Sequence, residues 1–258
     1  STQSRSSAAS DVYKRQRGIL TPEQTDGLEL RFGNASVLKP LIERIARRQP
    51  GIGALLAQGS RRAAQQIGGE APLYAMHVKG LEIPAYDPRS FTGMGLNLAT
   101  AQRGADHNKA FTIAAELMGI LGDLDRFDTA PKPALVKRMQ DSTAVIDSLI
   151  MCMFTVDLGI SVELYAEAIN LVTGMHLTAA DVYEIGERIN NLERMWNVRE
   201  GILGPAADML PARFAQEPDS SGHYLDVAQL LPEYYRLRNW DERGIPRPEH
   251  LDKLGIVV

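Results

Sequence analysis

The chain is expected to be mainly α and multihelical, and three observations lead there. Apolar residues recur at three- and four-residue spacing along most of its length, and helix caps and stops punctuate that pattern. Extended character is confined to one small irregular β element near 74–84. No strand leads through G-x-G-x-x-G into a helix, and Gly93-Met94-Gly95 is no phosphate loop, so a nucleotide fold is disfavoured.

Each element follows from local chemistry. Thr21-Pro22-Glu23 reads as a helix opening, with a capping hydroxyl, a first-turn proline and an acid. Asn34 is placed to cap a helix carrying Val37, Leu38, Leu41, Ile42 and Ile45 at helical spacing, stopped by Pro50-Gly51. A second amphipathic helix is expected over about 52–67, closed by Gly68-Gly69. Residues 74–78 and 81–83 then read as short strands around Lys79-Gly80, a small hairpin. From Tyr86 to Lys109 proline, glycine and small side chains accompany a modest helical pattern, the composition of backbone that approaches something closely. Helices are expected next at 110–118, 132–156, 162–172, 179–200 (opened by Thr178), 226–238 and after Pro248, with 205–223 a loop. Gly51, Gly174, Gly201 and Gly255 sit where helices should stop.

The 258 residues suffice for a sizeable core, and the formal net charge of −4 leaves no basic surplus for nucleic acid or an anionic membrane. No apolar run approaches the roughly 18–20 residues of a spanning helix. A single cysteine permits no intrachain disulfide, which fits a reducing, cytoplasmic setting. Residues 1–16 are polar and aperiodic, and Ser6–Gln16 resembles the translation of a sequencing adapter, so they are set aside as non-native and the natural chain is expected to continue upstream of Arg17.

Five residues are candidates for chemistry. Cys152 closes Asp147-Ser148-Leu149-Ile150-Met151-Cys152, in a stretch that reads as buried helix, where a cysteine is ordinarily a small hydrophobe. The alternative is metal-cluster ligation by its thiolate. Five residues apart on a helix means a rotation of roughly 140°, so Asp147 and Cys152 would face different groups. Asp147 in an apolar run must find donors or face an opening, since an unpaired buried carboxylate costs several kcal/mol. His107, in Gly104-Ala105-Asp106-His107-Asn108-Lys109, reads either as an exposed loop histidine or as a proton donor presented to a substrate. Arg89 and Arg103 flank the glycine-bearing segment and could grip a phosphate. No histidine pair has the i, i+4 spacing of a zinc site.

Six segments in order resemble the tungstopterin aldehyde:ferredoxin oxidoreductase family: 18–34 (GILTPEQTDGLELRFGN), 77–89 (HVKGLEIPAYDPR), 99–107 (ATAQRGADH), 147–152 (DSLIMC), 191–201 (NLERMWNVREG) and 234–255 (YYRLRNWDERGIPRPEHLDKLG). The resemblance implies the multihelical domains 2 and 3 of that architecture, with 17–120 as part of domain 2 and 121–258 as domain 3 carrying the Asp-x4-Cys motif. It implies a tungsten or molybdenum bis-pyranopterin beside a [4Fe–4S] cluster, oxidising a small aldehyde to a carboxylate and passing electrons to ferredoxin. It admits a homodimer. Residue by residue, it makes Asp147 a pterin-binding acid, Cys152 the fourth cluster ligand, His107 the proton donor near the metal, and Lys109 a contact of the pterin or its phosphate. The family pattern is Asp-x-x-Gly-Leu-Cys, and here Ile150 and Met151 replace Gly and Leu. The other three cluster cysteines, as C-x2-C-x3-C, are expected before residue 17. Two rivals stand beside this reading: a relative with another substrate, such as an aromatic-ring thioester reductase subunit, and a non-catalytic helical interaction domain.

Overall fold

The computed structural model describes residues 18–31, 33–157 and 160–257, so the segment 1–16 set aside above lies outside the described residues. The chain is mainly helical, with one two-stranded antiparallel sheet, as expected. Among the described residues no helix is long and apolar enough to cross a membrane. Two compact units result: 18–86 with Pro211–Arg213, and 87–210 with 214–257. The division falls after Tyr86, upstream of the 120/121 boundary read from the sequence.

In the first unit, α1 (Leu38–Ala46), α2 (Ile52–Leu56) and α3 (Ser60–Ile67) bury Leu41, Ile52, Leu56 and Ala63 in one cluster with Leu30 and Val37. The single helix expected over 52–67 is two, because Gly59, at φ +87°, turns the chain between them. The opening at Thr21 is also real but stops early. Thr21 and Gln24 exchange capping hydrogen bonds of 2.9 and 3.4 Å, yet Asp26 and Gly27 take positive φ and no helix follows. Asn34 makes no side-chain cap. The hairpin forms as β1 (His77–Val78) and β2 (Leu81–Glu82), with Lys79 at φ +53° and Gly80 at φ +93°, the two left-handed residues a type I′ turn demands.

The second unit is organised by α6. Its helices are α4 (Thr92–Thr100), α5 (Thr112–Met118), α6 (Lys132–Ser148), α7 (Phe154–Asp157), α8 (Val162–Thr173), α9 (Ala179–Arg199), α10 (Leu231–Leu237) and α11 (Pro248–Lys253). Helix α6 packs against α9, α4 and α10. The glycines of α4 serve this packing rather than a ligand: a Cβ at Gly95 would collide with Leu225, and one at Gly93 would sit 3.1 Å from the Glu116 carboxylate. Gly186 lets α9 close on α6, since a Cβ there would lie 2.6 Å from the Asp141 carbonyl carbon.

The most deeply buried charges of this core are paired. Lys132 and Glu116 form a fully buried ion pair at 2.9 Å, and Glu116 also accepts from Gly93 N and Thr112 Oγ1. Arg194 meets Asp208 through two hydrogen bonds and lies 4.6 Å from the Trp240 ring centre. Arg238 pairs with Asp141, Gln140 and Tyr234. Helix α9 begins with a complete capping box between Thr178 and Asp181, which satisfies the amides at its start.

Helix α6 is shorter than expected, ending at Ser148 rather than continuing to 156. Ile150 N donates to Asp147 O at 3.0 Å and Met151 N to Ile146 O at 3.2 Å, the paired bonds of a Schellman motif, with Ile150 at φ +57°. A β-branched residue in that conformation costs about 1–2 kcal/mol. Burial of Val145 and Leu149 against Val162, Ala166, Ile169, Val182 and Ile185 outweighs it, at about 1.5–3 kcal/mol for each fully buried aliphatic side chain. Cys152 is therefore neither helical nor buried; it lies past the helix end, exposed to solvent.

Candidate functional site

Three elements of the second unit meet at the C-terminal end of α6. The first is the 3₁₀ turn His107–Lys109, which packs on α6. Buried Asp106 shapes it: Oδ1 accepts from Asn108 N at 3.0 Å and Oδ2 from Arg103 at 2.6 Å, while the Asp106 carbonyl accepts from Asn97 of α4 at 3.0 Å. His107 is half-buried, edge-on to Phe111 with ring centres 6.2 Å apart. Burial lowers its pKa below the ordinary histidine value; Asp106 works to raise it and Arg103 to lower it further. At neutral pH the imidazole is thus held mainly uncharged.

Lys109 carries the turn across to the other two elements. Its ammonium lies 3.5 Å from Asp147 Oδ2, in the last turn of α6, and 3.3 Å from Glu193 Oε1, midway along α9. Asp147 stands where the α6 carbonyls already make the potential negative, so a cation beside it offsets both. The Lys109 side chain is only 16% exposed, whereas that of Asp147 is 51% exposed. Partly exposed pairs of this kind contribute about 0–1 kcal/mol, so the bridge fixes positions more than it stabilises the fold. Lys109, placed by resemblance against a pterin or phosphate, here has two carboxylate partners of its own chain.

Just beyond Asp147 the chain is open. Cys152 is exposed, as are its neighbours Ile150, Met151 and Phe154. The Cys152 carbonyl accepts from Thr155 N at 3.1 Å and from its hydroxyl at 2.7 Å, and Tyr165 of α8 donates in turn to Thr155, which anchors the turn while leaving the thiol free. Among the described residues no three His, Cys, Asp or Glu side chains converge as a metal site.

The structure thus brings Lys109 to Asp147 and adds Glu193, which sequence reasoning missed. A partner 84 residues from Lys109 in sequence leaves no local signal. The arginines proposed to grip a phosphate are engaged: Arg89 forms a fork with Asp87 at 2.9 and 2.6 Å and donates to Glu217 O at 2.8 Å, and Arg103 holds Asp106.

Comparison with known proteins identifies the family. Residues 6–256 match the family described as aldehyde ferredoxin oxidoreductase, domains 2 and 3; the match begins inside the segment 1–16 that was set aside. The tungsten-containing aldehyde ferredoxin oxidoreductase of Pyrococcus furiosus is 39% identical over 96% of this chain and 41% of its own length, and that of Thermococcus kodakarensis 40% identical over 97% and 41%. The WOR-like subunit of an aliphatic sulfonate oxidoreductase from Pyrococcus furiosus is 29% identical over 96% of the chain and 38% of its own. Among solved structures, the active site complex BamBC of benzoyl coenzyme A reductase shares the fold, with a TM-score of 0.76 at 20% identity, over 99% of this chain and 44% of that one. The chain spans about two fifths of the length of these relatives, and it belongs to the aldehyde ferredoxin oxidoreductase family, over that family's domains 2 and 3.

Proposed function

We propose that this chain supplies one wall of a tungsten or molybdenum bis-pyranopterin centre and one ligand of an adjacent [4Fe–4S] cluster, in an oxidoreductase that converts aldehydes to carboxylates and delivers electrons to ferredoxin. The observation that carries the proposal is the end of α6, where an exposed thiol and a half-exposed carboxylate follow one another in a motif of the family.

The side chains suit those groups. A cluster needs thiolates that are accessible, and Cys152 is the chain's only cysteine and is exposed; the three further ligands of an ordinary cluster would come from residues outside this sequence. Asp147, with its carboxylate half-exposed, accepts hydrogen bonds from the N–H groups of a pterin. The metal, when bound, supplies oxygen transfer and accepts the electrons of the aldehyde. His107 handles protons: held mainly neutral by burial, its imidazole takes up a proton during oxidation and returns it to solvent. Asp106 fixes the turn that aims it.

The test is Cys152→Ser in the holoenzyme. The expected result is loss of the electron paramagnetic resonance signal of the dithionite-reduced cluster and of about four irons per chain. An unchanged signal and iron content would show that the thiol is no ligand. His107→Asn should lower aldehyde-dependent viologen reduction by about 10²–10⁴-fold with metal content intact, the usual worth of a proton-transfer group. The similarity to the WOR-like subunit supports a second reading, an oxidoreductase of this family with a different substrate. Viologen reduction driven by a sulfonate and not by aldehydes would select it.

A further inference from the structure

We propose that Glu193 is the positioning residue of the Asp147 site: it holds Lys109 by the closer of that lysine's two contacts, so that the Asp147 carboxylate stays presented to a ligand that donates N–H hydrogen bonds. The inference deepens the proposed pterin site and rests on it.

The geometry points to this division of labour. Lys109 Nζ is 3.3 Å from Glu193 and 3.5 Å from Asp147, so the ammonium sits between two carboxylates and the trio carries a formal charge of −1. With Asp147 as its only partner, Lys109 would neutralise that acid and occupy the lone pairs a ligand needs. A second acid drawing the ammonium toward α9 leaves Asp147 as an acceptor. The other Glu193 oxygen, Oε2, is buried and has no hydrogen-bond partner among the described residues, so Lys109 is the group that orients this carboxylate. Backbone geometry supports the arrangement from both sides. The capping box of α9 and the close approach at Gly186 fix Glu193, and the Asp106 cap fixes the turn bearing Lys109. Neither long side chain can follow the other far.

Two measurements test it. The first needs no cofactor: acetylation of lysines by acetic anhydride in the full chain, resolved by mass spectrometry, with exposed Lys39 and Lys253 as internal references. Glu193→Gln, of the same shape without the charge, should raise the Lys109 rate about two- to fivefold, the factor a partly exposed ion pair carries, and Asp147→Asn should raise it less. No change in Glu193→Gln, or a larger change in Asp147→Asn, overturns the proposal. The second is pterin retained per chain by the holoenzyme, read as its fluorescent oxidation product. Glu193→Gln should lower retention while the melting temperature holds, and the loss should vanish in a Lys109→Met background because Glu193 acts through Lys109. A loss that persists in that background overturns the positioning role, as does unchanged retention in Glu193→Gln. If Asp147→Asn also retains pterin in full, the site reading itself has failed, which separates the two.

Discussion

Replacing Gly186 by alanine sets two physical effects against each other. Alanine in a helix interior is favoured over glycine by about 1 kcal/mol, so propensity alone predicts a more stable protein. Packing predicts the opposite. A Cβ at Gly186 would lie 2.6 Å from the Asp141 carbonyl carbon and nearer still to its oxygen, and both belong to the backbone of α6, which no rotamer change can move. Carbon contacts settle near 3.5–4.0 Å, so α9 must retreat from α6 by about 1 Å. Overpacking of this kind costs about 1–3 kcal/mol. The retreat also stretches the bonds from Asn190 Nδ2 to Asp141 Oδ1, at 2.9 Å, and to Gln140 O, at 3.2 Å, which cross the same seam. Each is worth about 0.5–1.5 kcal/mol. Net of the propensity gain, the expected loss is about 1–5 kcal/mol, which at roughly 2–4 °C per kcal/mol lowers the melting temperature by roughly 2–20 °C. Calorimetry or far-ultraviolet circular dichroism on Gly186→Ala reads this directly, and acetylation of Lys109 should quicken as Glu193 is carried away. A melting temperature equal to or above that of the parent would refute the account of how α6 and α9 meet.

Further predictions concern the same unit. Ile150→Gly should stabilise the protein by about 0.5–1 kcal/mol, because relief of about 1–2 kcal/mol of left-handed strain exceeds the added chain entropy of glycine; urea denaturation checks it, and a lower midpoint counts against the Schellman assignment. Lys132→Met should destabilise by about 3–5 kcal/mol by leaving Glu116 charged and unpaired in the core, and Lys132→Met with Glu116→Gln should recover part of that loss. Because burial holds the His107 pKa below 6.5, the unfolded chain binds its proton first as pH falls, so His107's share of stability is complete above 6.5 and is lost on acidification from 6.5 toward its folded pKa. Urea midpoints between pH 5 and 8 should fall less steeply in His107→Asn, and identical slopes would contradict the assignment.

The helical class was legible because it rests on local rules. Thr178 with Asp181 three residues on, and Lys79-Gly80 between short strands, name their own structures. Boundaries were less legible where tertiary packing overrides propensity. Residues 132–156 keep a helical apolar pattern throughout, yet only Val145 and Leu149 find a pocket among α8 and α9, and the helix stops when that contact is made. The glycine-bearing stretch 86–109 read as backbone that approaches something closely, and at Gly93 and Gly95 it is Glu116 and Leu225 of the same chain that come close. Lys109 was legible as a candidate and Glu193 was not, because their meeting depends on how α9 lies against α6.

Ile150 shows how a helix can end in a sharp left-handed stop without glycine. The pattern supplied by the family resemblance has glycine at this position, which would allow close backbone approach to a pterin. Here the residue takes φ +57° at the end of α6, a conformation glycine adopts freely and isoleucine at a cost of about 1–2 kcal/mol. Its own side chain is 95% exposed, so it clashes with nothing, and the requirement at the position is conformational. Because both Schellman hydrogen bonds form with isoleucine at this position, Asp147 lies in the last helical turn and Cys152 emerges past it into solvent. What position 150 requires in this chain is therefore a sharp left-handed stop between acid and thiol, and the anchoring of Val145 and Leu149 is strong enough to hold that stop without glycine.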